Sequence, residues 1–241
     1  MAILSGLSGL GLERSRDLKQ KGQFEVFLTD IFGTTTPLMH VKELNEYLRH
    51  SGKTQESISK ELGYGDGSQL MAAFKEGLDA AEQQDKDSDA FRRYIQIEDR
   101  VARVAYETGE LQMPLHNDVE ETVQRIHEAG GRIMVFSSAT VKTSRSGMRS
   151  NGLDKIIEGY YSSSDPDVGS KFSPAAYRAI ARKVNVTPDE VLYVTDSVKE
   201  AEAAVEACLG RVYLIDRESS GTGEKDGYFL INDYRRIGKV L

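Results

Sequence analysis

The chain carries a single cysteine, Cys208, among its 241 residues. No intramolecular disulfide can form, and a structural zinc site built on several thiolates is excluded. A reducing cytoplasm is the simplest home for such a chain. Cys208 lies in the small apolar run EAAVEACLG, where we expect a buried, inert thiol. Long hydrophobic runs are also missing: nothing approaches the roughly 18 to 20 apolar residues that a membrane-spanning helix needs. No membrane partner is expected. Excess positive charge is missing too. The formal net charge of −7 provides no basic field for a polyanion, so no nucleic-acid partner is expected. There is no internal repeat. The N-terminal stretch MAILSGLSGLGLERSRDLKQ has no basic leader and is broken by three glycines, so residues 1–21 read as an N-terminal extension and not as a secretory signal.

What the chain does contain is a rhythm. The segment FEVFLT, residues 24–29, is nearly continuous in apolar character and suits a central parallel strand covered on both faces. From about residue 38 to residue 114 the spacing turns helical, in VKELNEYLRH, SQLMAAFKEGLDAAEQ and AFRRYIQIEDRVARVAYETG. The charged stretch EQQDKDSD, residues 82–89, marks a turn between two of these helices. Strands then alternate with helices: VEETVQRIHEAGG is followed by RIMVF, a helix over 141–150 by IIEGYY, SPAAYRAIARKVN by VLYVT, and KEAEAAVEACLG by RVYLI. The final DGYFLINDYRRIGKVL reads as an edge strand and a closing helix. Short connections between such alternating elements imply right-handed crossovers and a parallel sheet with helices on both faces. The expected fold class is therefore α/β, a Rossmann-like parallel-sheet core formed by residues 22–37 and 115–241, with a helical cap inserted at 38–114.

Four short segments end or follow the apolar runs. They are Asp30 in FLTDIFGTTTP, Ser137 in IMVFSSATV, Lys171 in DVGSKFSP and Asp196 in VLYVTDSVKE. If the runs are neighbouring parallel strands, a carboxylate, a hydroxyl, an ammonium and a second carboxylate meet at one carboxyl edge of the sheet. That set is suited to phosphoryl transfer. Each residue also has a plain structural reading: Asp30 as a turn cap, Ser137 and Ser138 as helix caps, Lys171 as a solvated loop lysine, Asp196 as an N-cap, Glu200 as an exposed helical glutamate. The order and strand placement of all of them together favour the chemical reading.

These segments resemble the hydrolases of the haloacid dehalogenase superfamily, and among them the enolase-phosphatases of methionine salvage. T-D-I-F-G-T-T-T-P is similar to D-I-E-G-T-T-T-P of that group, and F-S-S-A-T-V to Y-S-S-G-S-V. V-G-S-K with a following Y-R-x-I-A, and T-D-S-V-K-E-A-x-A-A, resemble its remaining motifs. The resemblance spans residues 24–40 and about 115–217. It implies Asp30 as nucleophile and as a magnesium ligand, with the backbone carbonyl of Phe32 and the carboxylate of Asp196 completing the protein share of an octahedral Mg²⁺ site. It implies phosphate binding by Thr34, by Ser137, and by Ser138 and Ala139 at a helix start, with charge neutralisation by Lys171. Glu200 would orient Lys171 or a metal-bound water. The implied substrate is a small phosphorylated or phosphonylated metabolite such as a diketone phosphate, handled by a monomer or homodimer, with the cap closing over the core. His40, just after the nucleophile loop, is a further candidate whose plain reading is a packed histidine.

One position departs from the pattern. Phosphatases of this superfamily carry an acid two residues after the nucleophile, and Phe32 stands there. Phenylalanine transfers no proton, and positioned acid–base help is worth about 10² to 10⁴ in rate. Ordinary phosphomonoester turnover is therefore expected to be weak. Leaving groups that need no proton, as in carbon–phosphorus or carbon–halogen cleavage, and a silent binding role are the alternatives.

Overall fold

The expected apolar runs pair into one sheet. In the computed structural model, which describes residues 24–83 and 88–239, the strands are Val26–Thr29 (β1), Arg132–Ser137 (β2), Ile157–Ser162 (β3), Val191–Thr195 (β4), Arg211–Ile215 (β5), Gly223–Lys225 (β6) and Tyr228–Ile231 (β7). Their order is β3-β2-β1-β4-β5-β7-β6. All pairings are parallel except that of β6 with β7. The α/β class holds. Two details differ from expectation at the C-terminus: β7 is an inner strand, because β6 pairs along its outer side, and the closing helix is a 3-10 turn over Tyr234–Lys239. The expected extension, residues 1–21, lies outside the described residues, as does the middle of the charged turn at 84–87.

Among the described residues the α-helices are His40–His50 (α1), Gly52–Leu62 (α2), Gly67–Glu82 (α3), Asp89–Thr108 (α4), Val119–Glu128 (α5), Val141–Ser150 (α6), Pro174–Lys183 (α7) and Val198–Glu206 (α8). Both faces of the sheet are covered, which is why its central strands carry no polar alternation. On one face Val26, Leu28, Met134, Phe136, Val191 and Tyr193 pack with Tyr177 and Ile180 of α7 and Ala201 and Ala204 of α8. On the other, Phe27, Ile133, Leu192 and Val194 pack with Val119, Val123 and Ile126 of α5 and with Tyr234 and Ile237. Alternate residues of β1 thus enter opposite cores, as the period of two in a strand requires.

The chain divides into two compact units. The sheet unit takes the described residues up to Thr36, then Leu115–Ser138 and the residues from Lys155 onward. The helical unit takes Pro37–Pro114 and Ala139–Asp154. It therefore includes α6, which the sequence expectation had assigned to the sheet. The reason is local. The carboxylate of Asp99 on α4 accepts hydrogen bonds from the backbone N–H (2.9 Å) and hydroxyl (3.0 Å) of Thr140, the N-cap of α6. Gly147 of α6 also lies so close to Met113 that a Cβ there would sit 2.7 Å from its sulfur. Leu44, Leu48, Ile58, Leu70, Phe74, Ile97 and Val101 form the buried interior of this unit.

Cys208 corrects a further expectation. It is exposed, because α8 ends at Glu206 and Cys208 takes the left-handed conformation, φ 64°, in the turn that follows.

Candidate active site

The strand order fixes where chemistry can gather. The chain lays down β1, β2 and β3 toward one edge and then returns to the other side of β1 as β4, so the carboxyl ends of β1 and β4 form a topological switch point. Asp30 follows the last residue of β1 and Asp196 the last residue of β4. The N–H of Asp30 still donates to the carbonyl of Val194 (3.1 Å), which holds the nucleophile candidate in line with the ladder.

Beyond Asp30 the chain turns sharply. The carbonyl of Ile31 accepts the N–H groups of Thr34 (3.3 Å), Thr35 (2.8 Å) and Thr36 (2.9 Å), and the N–H of Gly33 donates to the carbonyl of Thr36 (2.8 Å). Gly33 has φ 81°, and a Cβ built on it would lie 2.0 Å from Oδ2 of Asp196. Glycine is required there twice, by conformation and by space. The threonine hydroxyls complete the turn: that of Thr35 donates to the Ile31 carbonyl (3.1 Å), while that of Thr34 donates to Oδ1 of Asp196 (3.0 Å) and lies 3.3 Å from Oδ2 of Asp30. The N–H of Asp196 donates back to Thr34 Oγ1 (2.9 Å).

Lys171 reaches this group from the loop between β3 and α7. Its Nζ lies 2.5 Å from Oδ1 of Asp30 and 2.8 Å from Oε2 of Glu200. Asp30, Lys171 and Glu200 are 6%, 5% and 7% exposed, so the ion pairs are shielded and the loop-lysine and surface-glutamate readings do not apply. Glu200 comes from the first turn of α8, and its Oε2 also accepts the hydroxyls of Tyr193 (2.7 Å) and Thr195 (2.7 Å). With Lys171 that oxygen has three donors. Tyr177 of α7 ties the same parts from behind, its hydroxyl donating to the carbonyls of Lys171 (2.7 Å) and Glu200 (3.3 Å).

The electrostatics follow from one ammonium set among three carboxylates. Burial pushes the Asp30 carboxyl up to about 6; Lys171 opposes this, while Glu200 and Asp196 add to it. Burial likewise raises Asp196, against the hydrogen bond from Thr34. Burial alone would depress the Lys171 ammonium, yet Asp30 and Glu200 outweigh it and hold it above its ordinary value. Such a site favours an added cation.

The donor set fits a hard divalent ion. Asp30 and Asp196 present carboxylates joined through one threonine hydroxyl. The hydrogen bonds of the turn are carried by the Ile31 and Thr36 carbonyls, which leaves the Phe32 carbonyl outside them. Among the described residues no three His, Cys, Asp or Glu side chains form a metal cage. Magnesium does not need one, since it is commonly held by one or two carboxylates with water and substrate oxygens.

Of the residues singled out in the sequence, Asp30, Thr34, Lys171, Asp196 and Glu200 are brought together by these contacts. Ser137 ends β2 and is buried, one strand over from β1 on the same edge, and Ser138 follows it and is exposed. Ala139 belongs to the helical unit. His40 is packed within the helical unit, its Nδ1 2.7 Å from Glu43 and its Nε2 2.8 Å from the Tyr106 hydroxyl. Phe32 is half-buried.

A second group of residues supports the turn after β1 from outside the cluster. Arg217, just after β5, donates from Nη1 to both carboxylate oxygens of Asp118 (3.0 and 2.8 Å) and from Nη2 to the carbonyl of Thr34 (2.9 Å). Asp118 also accepts the N–H of Tyr234 (2.7 Å), whose hydroxyl pairs with that of Thr29 (2.6 Å), and Thr29 donates to the carbonyl of Asp30 (3.0 Å). Both ends of the turn are thereby anchored to one carboxylate. These residues carry no motif, because a lone acid and a lone arginine 99 positions apart leave no pattern in the chain. Tyr177, by contrast, is the tyrosine of the Y-R-x-I-A motif that follows V-G-S-K.

Known proteins resemble this chain over most of its length. Enolase-phosphatase E1 of Leptospira borgpetersenii serovar Hardjo-bovis is 26% identical over 236 residues, covering 89% of this chain and 98% of the relative. The unknown transcript 4 protein of Saccharomyces cerevisiae superposes with a TM-score of 0.66 at 21% identity, over 89% of this chain and all (100%) of the yeast one. A dehalogenase superposes with a TM-score of 0.58 at 14% identity, over 90% and 97% of the two chains. Those two likenesses establish the fold. The profile of haloacid dehalogenase-like hydrolases matches residues 24–207, and this chain belongs to that family of hydrolases.

Proposed function

We propose that this protein carries out magnesium-dependent chemistry on a small phosphorylated metabolite, related to that named for its enolase-phosphatase relatives, with its hydrolytic half-reaction weakened by Phe32. One observation carries the reading: Asp30, buried at the end of β1, is paired with Lys171, which Glu200 holds in place, beside the second carboxylate of Asp196. Asp30 is placed to attack phosphorus. Lys171 offsets its charge and that of the transferring group, where negative charge accumulates. Glu200, saturated with donors on Oε2, positions the ammonium and is poorly placed to move protons itself. Asp30, Asp196 and the Phe32 carbonyl are the residues that would hold Mg²⁺, which when bound brings a carboxylate and a phosphate together despite their like charges.

Phe32 favours a second reading, cleavage of carbon–phosphorus or carbon–halogen bonds, whose leaving groups need no proton from that position. Release of phosphate from a phosphoester, phosphate from a phosphonate, and halide from a haloacid, each with and without Mg²⁺, separates the readings. Solvent-deuterium uptake into a diketone phosphate tests the enolisation step. Silence in all four assays would leave only a binding role. The Phe32→Glu variant is expected to raise phosphoester turnover by about 10² to 10⁴; an unchanged rate would show that more than the missing acid separates this site from a phosphatase.

A further inference from the structure

The groups around Asp30 can form a phosphoenzyme but are ill placed to discharge it. Lys171 Nζ is committed to two carboxylates, at 2.5 and 2.8 Å. Oε2 of Glu200 is committed to Lys171 and to the hydroxyls of Tyr193 and Thr195. The Thr34 hydroxyl is engaged by Asp196 and Asp30, and Asp196 belongs to the cation-holding pair. Two residues on from Asp30 stands Phe32, whose side chain has neither a proton nor a lone pair to offer. We propose that Asp30 takes up a phosphoryl group from donors whose leaving group departs as a stable anion, such as acyl phosphates and electron-poor aryl phosphates, and that the resulting aspartyl-phosphate persists as a long-lived modified form of the protein. This rests on the phosphoryl-transfer reading given above.

The two steps make opposite demands. In the first, a carboxylate oxygen of Asp30 forms a bond to phosphorus while the bond from phosphorus to the donor oxygen breaks. The electron pair leaves with a carboxylate or an aryl oxide, and no proton has to move. Lys171 is in place to neutralise the charge that passes through the transferring group. In the second step water attacks phosphorus, the bond to Asp30 breaks with its electron pair returning to the carboxylate, and inorganic phosphate leaves. Here the water must lose a proton in the transition state, and of the described side chains that contact the Asp30 carboxylate, the Lys171 ammonium has no lone pair to accept it and the Thr34 hydroxyl is already engaged. The first step keeps its machinery whereas the second loses a factor of about 10² to 10⁴. Modified protein must then accumulate.

Intact-protein mass measurement tests this directly. The full chain is incubated with MgCl₂ and either acetyl phosphate or para-nitrophenyl phosphate, freed of donor, and followed over time. Wild type is expected to gain the mass of one phosphoryl group and to keep it well after the donor is removed, with para-nitrophenolate released in a burst approaching one equivalent. The Asp30→Asn variant should gain nothing. In Phe32→Glu the adduct should not build up, and phosphate should be released continuously. Phe32 is half-buried at a turn, and a melting curve checks that the variant folds. An unmodified mass accompanied by steady phosphate release from wild type would overturn the inference and leave the proposed function standing. An unmodified mass with no phosphate released from any donor would overturn both. An adduct that forms equally in Asp30→Asn would place the modification elsewhere and defeat the assignment.

Discussion

Lys171 is held by two carboxylates in a place that is almost closed to solvent. Removing its charge leaves Asp30 and Glu200 facing one another without compensation. Breaking a buried pair from one side costs about 3–5 kcal/mol, so Lys171→Met is expected to lose that much in urea denaturation of the metal-free protein; a loss under about 1 kcal/mol, the range of exposed pairs, would mean that water reaches the cluster. Gly33 makes a different kind of demand. An added methyl group meets Oδ2 of Asp196 at 2.0 Å on a backbone of φ 81°, so Gly33→Ala must push the Asp196 carboxylate away from the turn that carries Asp30. We expect Mg²⁺ binding, read by calorimetry, to fall at least tenfold, about 1.4 kcal/mol, together with a lower melting temperature. At this scale the chain was legible wherever a residue immediately follows a strand or opens a helix, as Asp30, Asp196 and Glu200 do. Lys171 could be found only through its motif, since a loop lysine is ordinarily solvated. The donors to Glu200 were hidden, because Tyr193 and Thr195 read as strand residues and only their shared oxygen acceptor reveals them.

At the scale of elements, the turn after β1 is secured from two directions. Gly33 meets the loop after β4, and Arg217, after β5, grips the Thr34 carbonyl while chelating Asp118 at the head of α5. Arg217→Met strands the carboxylate of Asp118, whose side chain is 7% exposed. We expect a loss of roughly 3–5 kcal/mol in chemical denaturation; a cost within experimental error would show that Tyr234 and solvent satisfy Asp118 without the arginine. Strands and helices were mostly visible from apolar periodicity, and VLYVT and RVYLI match β4 and β5 residue for residue. The misreadings have physical causes. β6 is three exposed residues without an apolar signature, so β7 looked like the edge. The affiliation of α6 rests on a carboxylate 41 positions away, which periodicity does not register.

For the whole molecule, the sheet unit keeps carboxylates close to one another in a partly desolvated site, and anything that binds there without binding the unfolded chain stabilises the fold. At a hundredfold excess over its dissociation constant such a ligand contributes about 2.7 kcal/mol. Addition of MgCl₂ is expected to raise the melting temperature of wild type and to leave that of Asp196→Asn nearly unchanged; equal shifts in both would place the ion somewhere other than between β1 and β4. Cys208 has one further consequence. A side chain in the left-handed region carries a penalty that glycine escapes, and this one points into solvent. Replacing Cys208 by glycine should therefore relieve the backbone and yield a thiol-free version of the protein, a blank background on which a single engineered anchor for a spectroscopic probe can report from any chosen surface.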